Sequence, residues 1–173
     1  MIKYKPSIYS KSIYTIDYKK LKKNGIKCLL FDLDNTLVES KAKIPTKQVI
    51  ELFAELKKMG FLIIIFSNSN AKRLMPFSKK LDVAFNSFSL KPLKHSFIKV
   101  MKKYKLSKEE VVLIGDQLLT DVLGGNKVGI KTILVDPILT SEFFFTKVNR
   151  MREKRIYNKL EKLNILKKGE YYG

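Results

Sequence analysis

The chain has 173 residues, of which 45% are apolar, so it can bury the core of one ordinary domain but is short for two. Its single cysteine, Cys28, excludes an internal disulfide and favours a reducing compartment. The longest apolar run, residues 61–66, is far shorter than the roughly 20 residues of a membrane-spanning helix, and the N-terminus lacks the apolar run of a signal peptide. We therefore expect a cytoplasmic protein with no transmembrane segment.

Positive charge dominates the composition. The chain has 35 Lys and Arg residues against 16 Asp and Glu, a formal net charge of +19. Residues 1–24 and 143–173 are both strongly basic. Such charge attracts phosphate esters, nucleic acid or an acidic membrane face, although runs of lysine are also common on ordinary solvated surfaces. Four of the seven aspartates fall in two short segments, which suggests a dedicated role for them: Asp32, Asp34, Asp116 and Asp121.

Apolar runs bounded by Gly and polar residues alternate with segments of helical periodicity along the chain. The pattern predicts five strands, at 26–31, 61–66, 82–85, 111–114 and 131–135. Between them it predicts a helix from an N-cap at Thr46 to Gly60, a helix at 71–80 that Pro76 must kink or delay, a helix at 92–104, an acidic turn from Ser107 and a helix at 118–128. A long helix from 143 to about 166 follows the last strand. This alternation predicts a three-layer α/β/α, Rossmann-like fold with a parallel sheet of about five strands.

The basic ends divide the chain into three parts. We predict a basic N-terminal segment over 1–24, an α/β domain over 25–140, and a basic C-terminal helix over 141–173. That last helix has a rough apolar stripe with basic residues between. It therefore either packs on the domain or extends from it as an amphipathic helix on an anionic membrane surface.

Polar side chains follow each predicted strand, where a parallel sheet forms its ligand-binding crevice. Asp32 and Asp34 follow the first strand, and Ser67 follows the second. Lys91 precedes the helix after the third strand. Asp116 ends the fourth strand, with Asp121 five residues later.

These residue types suit phosphate chemistry. One carboxylate of the Asp32–Asp34 pair can attack phosphorus, and the other can act as general acid and base. Asp116 would complete an oxygen-ligand site for Mg²⁺, because that ion prefers a few carboxylates together with substrate phosphate. Lys91 and the Ser67 hydroxyl could bind the phosphoryl oxygens. The sequence has no His or Cys cluster for zinc.

The ordered motifs DLDNT, Ser67, Lys91 and GDQLLTD resemble those of the haloacid dehalogenase superfamily of phosphohydrolases, over about residues 26–136. The resemblance implies that Asp32 is the nucleophile and Asp34 the acid and base. It also implies that Mg²⁺ is held by the Asp32 side chain, the Asp34 carbonyl and Asp116, and that Asp121 lies behind them or positions Lys91. Cap domains of this superfamily are inserted in the intervals 32–67 and 67–91, which are too short here to hold one.

The segments FDLDNTLV, FSNSN and GDQLLTDVLGGN are more closely similar to the YqeG-like branch, which is related to phosphatidylglycerophosphate phosphatases. This likeness and an open capless site imply a large or lipid-bound phosphomonoester as substrate. The basic segments 1–24 and 143–173 would allow peripheral attachment to the inner face of the membrane. Two alternatives stay open at this point. The substrate could be a phosphorylated protein or nucleic acid end, or the chain could be a basic RNA- or ribosome-binding protein on the same scaffold.

Several polar or reactive residues have plainer interpretations. Asn35 and Asn68 are either turn residues or part of the site. His95, one turn after Lys91, is expected on a helix surface, and Cys28 is expected in the core as a small apolar residue.

Overall fold

A computed structural model describes residues 1–138 and 144–173, and the side chains of these residues except for 144–150. Six strands form one parallel sheet in the order β1-β6-β5-β2-β3-β4: β1 (Ile8–Ser10), β2 (Cys28–Phe31), β3 (Leu62–Phe66), β4 (Ala84–Asn86), β5 (Val111–Gly115) and β6 (Lys131–Val135). The α-helices are α1 (Tyr18–Lys23), α2 (Lys47–Lys58), α3 (Ala71–Leu81), α4 (Lys94–Lys103), α5 (Leu123–Val128) and α6 (Phe144–Lys162).

The central strands are buried on both faces, as a parallel sheet between two helical layers requires. All four residues of β2 and all five of β5 are buried. In β2, Leu29 and Phe31 face a core that includes Phe53 of α2 and Phe77 of α3. The alternate residues of β2 face a second core that includes Phe97 of α4. The predicted three-layer α/β/α fold is therefore confirmed, and Cys28 is buried in that second core as expected.

Local signals placed most helix boundaries correctly. The Thr46 side chain accepts a hydrogen bond from the Val49 amide at the start of α2, as predicted for an N-cap. Helix α3 begins at Ala71, directly after its N-cap Asn70, so Pro76 inside it does not delay its start. The predicted helix over 118–128 divides into a π-helical turn, Leu118–Val122, and α5.

The sequence predicted about five strands, and the structure has a sixth. Strand β1 lies within the basic segment 1–24 and pairs in parallel with β6, Ile8 opposite Ile133 and Ser10 opposite Val135. With only three residues, β1 is too short to produce a readable alternation of apolar and polar positions. Its partner lies 125 residues away in the chain, so no local pattern reveals the pairing.

The C-terminal region packs against this edge of the sheet. Leu160 of α6 and Leu166 after it are buried in a cluster with Tyr9, Leu118 and Leu134. Residue 143, predicted as the start of this helix, lies outside the described residues. No helix in the described part of the chain is long and apolar enough to cross a membrane.

The two intervals in which a cap could be inserted are fully described. The first holds a loop, α2 and β3, and the second holds α3, β4 and loops. Neither of these two intervals holds a cap domain, as the sequence predicted.

Candidate active site

The carboxyl ends of four strands bring the predicted site residues to one edge of the sheet. Asp32 directly follows β2 and continues its ladder, since its amide donates to the Ile114 carbonyl of β5 at 2.9 Å. Ser67 directly follows β3, and Asp116 directly follows β5. Lys91 is delivered by the loop between β4 and α4. The strand-end pattern therefore located four buried side chains that the fold brings to the same edge of the sheet.

The Lys91 ammonium joins two of these carboxylates. Its Nζ donates to Asp32 Oδ1 and to Asp121 Oδ1, each at 2.7 Å. The exposed fraction of the Lys91 side chain is only 2%. Burial lowers the pKa of Lys91, but the two carboxylates more than offset this and hold the pKa above its usual value. Lys91 is therefore a fixed positive charge in a site with little water.

Burial has the opposite consequence for Asp32. Removal from water raises the pKa of Asp32 far above that of an ordinary carboxyl group. Lys91 lowers this pKa, whereas the neighbouring Asp121 and Asp116 carboxylates raise it. Any further cation placed beside Asp32 would favour its ionised form.

Asn68 positions the main chain of Lys91. The Asn68 Oδ1 accepts from the Lys91 amide at 2.7 Å, and its Nδ2 donates to the Lys91 carbonyl at 3.2 Å. These two bonds tie the end of β3 to the loop after β4. Asn68 therefore holds the main chain of the residue that carries the central ammonium.

Asp121 contacts Lys91, as one of the two predicted arrangements required. Its Oδ1 accepts from Lys91 and its Oδ2 accepts from the Gln117 amide at 3.1 Å. The carboxylate lies against the backbone of Gly115, where an added Cβ would overlap Asp121 Cγ. Glycine at 115 is therefore required for this close approach, and it explains why the strand ends in Gly-Asp.

Oxygen atoms of three buried carboxylates, from Asp32, Asp116 and Asp121, lie within 4.8 Å of one another. Thr36 Oγ1 donates to Asp116 Oδ1 at 3.0 Å and orients it. A close set of carboxylate oxygens fits a hard divalent cation such as Mg²⁺. Both oxygens of the third carboxylate, Asp121, accept hydrogen bonds, from Lys91 and from the Gln117 amide.

The Asp34 side chain is held by two residues that the sequence did not single out. Its Oδ1 accepts from Arg73 Nη2 at 2.6 Å and from Arg73 Nε at 3.2 Å. Its Oδ2 accepts from Ser69 Oγ at 2.9 Å. Ser69 lies in the loop after β3 and Arg73 in the first turn of α3. The polar SNSN segment before a helix was a possible signal for Ser69, but nothing in the spacing indicated Arg73.

Ser67, Asn35 and His95 complete the predicted set. Ser67 is buried, and its Oγ accepts from the Ser69 amide at 3.2 Å. Asn35 has a φ of +65° and its amide donates to the Val38 carbonyl at 2.7 Å, which makes it a turn residue beside the site. Its buried Nδ2 has no hydrogen-bond partner among the described residues. His95 is exposed on α4, as expected.

Comparison with known proteins gives a consistent assignment. A family model described as "HAD-hyrolase-like" matches residues 90–137, which include Lys91, Asp116 and Asp121. The "Probable phosphatase YqeG" of Bacillus subtilis (strain 168) is 43% identical over 157 residues, which cover 91% of each chain. The chloroplastic/mitochondrial phosphatidylglycerophosphate phosphatase 1 of Arabidopsis thaliana is 28% identical over 84% of this chain, which spans 45% of that protein.

Solved structures share the fold at low sequence identity. An uncharacterized protein from Listeria monocytogenes serotype 4b matches 68% of this chain and 84% of its own, with 18% identity and a TM-score of 0.55. The cobalt-bound deoxy-D-mannose-octulosonate 8-phosphate phosphatase of Haemophilus influenzae matches 80% of this chain and 94% of its own, with 14% identity and a TM-score of 0.52. Because the chain is 43% identical to the Bacillus subtilis protein over 91% of each chain, and carries the strand-end aspartates, it belongs to the YqeG family of haloacid dehalogenase-like phosphatases.

Proposed function

We propose that the protein is a Mg²⁺-dependent phosphomonoesterase that acts through a phosphorylated Asp32. The observation that carries this proposal is the contact of Lys91 Nζ with Asp32 and Asp121 at 2.7 Å each, within a cluster of buried carboxylates. This arrangement places one fixed cation beside the proposed nucleophile, where it can bind the phosphoryl oxygens of a substrate.

In the proposed reaction an Asp32 oxygen attacks phosphorus while the ester oxygen departs. Asp34 donates a proton to the departing oxygen, and an aspartyl-phosphate remains on Asp32. Asp34 then accepts a proton from a water molecule that attacks the same phosphorus. This second step releases inorganic phosphate and restores the Asp32 carboxylate.

The neighbouring residues bind and orient. Lys91 and the Ser67 hydroxyl contact the phosphoryl oxygens, and Asp121 keeps Lys91 in place. The Asp32 and Asp116 side chains and the Asp34 carbonyl would hold Mg²⁺, which would supply positive charge that lets the phosphate approach these carboxylates. Cation-free protein prepared with a chelator is expected to lose phosphate release, and added Mg²⁺ to restore it.

We further propose that the substrate is a lipid-bound phosphomonoester such as phosphatidylglycerophosphate. Two relatives named for that activity, from Arabidopsis thaliana and Chlamydomonas reinhardtii, are 28% and 26% identical to this chain. The capless site supports a substrate that is presented on a surface rather than enclosed. The basic segments 1–24 and 143–173 would add attraction to an anionic membrane, since each nearby lysine or arginine contributes about 1 kcal/mol.

The test compares phosphate release from phosphatidylglycerophosphate in vesicles with release from small soluble phosphomonoesters. A much higher kcat/KM for the lipid supports the proposal. Comparable values for all esters would leave a general phosphatase, and a preference for a phosphorylated protein or nucleic acid end would replace the lipid assignment. Salt-sensitive RNA binding without Mg²⁺-dependent hydrolysis would instead support a binding protein.

A further inference from the structure

The loop that delivers Lys91 exposes three large apolar side chains at the edge of the site. Phe88 and Leu90 are each 60% exposed and Leu93 is 56% exposed. Single exposed apolar residues are ordinary on protein surfaces, but three within six residues form a patch that needs an explanation. We define these three residues as the apolar rim.

Backbone hydrogen bonds fix the direction of these side chains. The Phe88 amide donates to the Ser69 carbonyl and the Ser89 amide to the Ser67 carbonyl, both at 3.0 Å. Ser89 and Lys91 are buried between the exposed positions, so successive residues alternate between the site and the surface. Phe88 and Leu90 therefore lie on the outward side of the loop that delivers Lys91.

The backbone conformation also opposes a purely structural explanation. Phe88 has a φ of +46° and Leu90 a φ of +52°, in the left-handed region that bulky residues seldom adopt. Glycine or asparagine would meet this conformation with less strain, and a polar residue would suit an exposed position better. Strain of this kind is concentrated at functional sites, which favours a role for the exposed side chains themselves.

The loop after β2 and helix α3, which meet at the Asp34–Arg73 ion pair, also expose apolar side chains and lysines. Ile44, in the loop after β2, is 64% exposed, and Met75 of α3 is 44% exposed. The loop carrying Ile44 contacts α3, because Arg73 donates to the Ala42 carbonyl. Exposed lysines lie within three positions of these apolar residues in the sequence: Lys41, Lys43, Lys72 and Lys94.

Apolar side chains bordered by lysines match the two layers of an anionic membrane surface, with its acyl region and its phosphate groups. We infer that the apolar rim inserts into an anionic lipid bilayer and docks the Asp32–Lys91 edge of the sheet directly on it. This inference rests on the proposed lipid substrate and adds which surface faces the membrane. Substrate could then reach the site without leaving the bilayer.

Fluorescence tests the docking face independently of activity. The chain contains no tryptophan, so a Phe88→Trp variant carries a single reporter. Leu163→Trp, at a position 55% exposed beyond α6, is the matched control on the basic tail. With phosphatidylglycerol vesicles, the indole emission of the Phe88→Trp variant is expected to shift to the blue and to be quenched by lipids brominated on the acyl chain, whereas the control emission is not.

Three results of the fluorescence experiment would contradict docking through the apolar rim, and each has a different meaning. Vesicle binding without a shift at position 88 would overturn the inference, and a shift at 163 alone would make the tail the docking face. A shift at 88 that appears with rising protein concentration and no vesicles would mean that the rim contacts a second copy.

An activity arm separates this inference from the proposed function. The activity ratio is kcat/KM for phosphatidylglycerophosphate in vesicles divided by kcat/KM for a soluble ester. We expect the Phe88→Ser/Leu90→Ser variant to lower this ratio at least tenfold. The control variant Leu163→Ser is expected to leave it unchanged. An unchanged ratio in the rim variant would contradict docking through the rim. If wild-type protein hydrolyses only soluble esters, the lipid-substrate proposal fails, while acyl-chain quenching at 88 still decides the docking face.

Discussion

Replacement of Lys91 by Met tests the electrostatic core of the site. The change removes the ammonium that contacts Asp32 and Asp121 at 2.7 Å each and leaves both carboxylates buried. Loss of one partner from a buried ion pair costs about 3–5 kcal/mol, because the remaining carboxylate must either stay charged out of water or take up a proton. We expect a loss in the free energy of unfolding within this range for cation-free protein.

Urea denaturation of cation-free protein measures this loss, with Lys99→Met on the exposed face of α4 as the matched control. The control is expected to change the free energy of unfolding by less than about 0.5 kcal/mol. Adding Asp121→Asn to Lys91→Met is expected to recover part of the loss, since it removes one of the unpaired carboxylates. A destabilisation below about 1 kcal/mol for Lys91→Met, or no recovery in the double variant, would refute the view that Lys91 neutralises this cluster.

The remaining predictions concern catalysis and pH. Asp32→Asn is expected to abolish Mg²⁺-dependent phosphate release while circular dichroism shows an unchanged fold; more than a few per cent of residual activity would contradict the nucleophile assignment. Asp34→Asn should lower kcat/KM, which reports the step that forms the aspartyl-phosphate, by about 10²–10⁴ and most for esters with poor leaving groups; equal losses of kcat/KM for good and poor leaving groups would contradict its role as an acid. Arg73→Ala should show the same leaving-group dependence, because Arg73 orients Asp34, whereas Lys72→Ala on the exposed side of the same turn should not. In cation-free protein, the pKa of Asp32 is higher in the folded than in the unfolded state, so folding binds a proton. The free energy of unfolding should therefore fall as pH rises from about 4 towards the folded-state pKa. Asp32→Asn should flatten this part of the pH profile measured by urea denaturation.

The sequence alone was sufficient to locate the site residues that directly follow a strand. Asp32, Ser67 and Asp116 each follow a buried apolar run directly, so finding the strand also locates the side chain. Lys91 and Asp121 lie in loops or turns, and their ordered motifs placed them. The motifs implied that Asp121 could position Lys91, and the structure has a contact between these two residues, which are separated by 30 positions.

Contacts between site residues and side chains distant in the sequence could not be predicted in this way. Arg73 reaches Asp34 over 39 positions, and Asn68 holds Lys91 over 23. Both contacts depend on how α3 and the loop after β4 settle on the sheet, which no local periodicity records. Strand β1 was missed for the same reason, because three residues gain strand geometry only from the distant β6.

The exposure of Phe88 and Leu90 was also hidden in the sequence. An apolar residue between two predicted elements is normally expected to turn into the core. Here the neighbouring Ser89 and Lys91 occupy the inward positions, so the apolar side chains are left outside. Only the fixed backbone of the loop reveals this inversion.

Trapping of the intermediate tests the central claim most directly. Protein mixed with substrate for less than one turnover is quenched, reduced with borohydride and digested, and mass spectrometry then locates the residue that carried the acyl phosphate. Conversion is expected for the aspartate at position 32 alone, and it should depend on Mg²⁺ and be absent in Asp32→Asn. Modification of a different residue, or none during a measured single turnover, would contradict it.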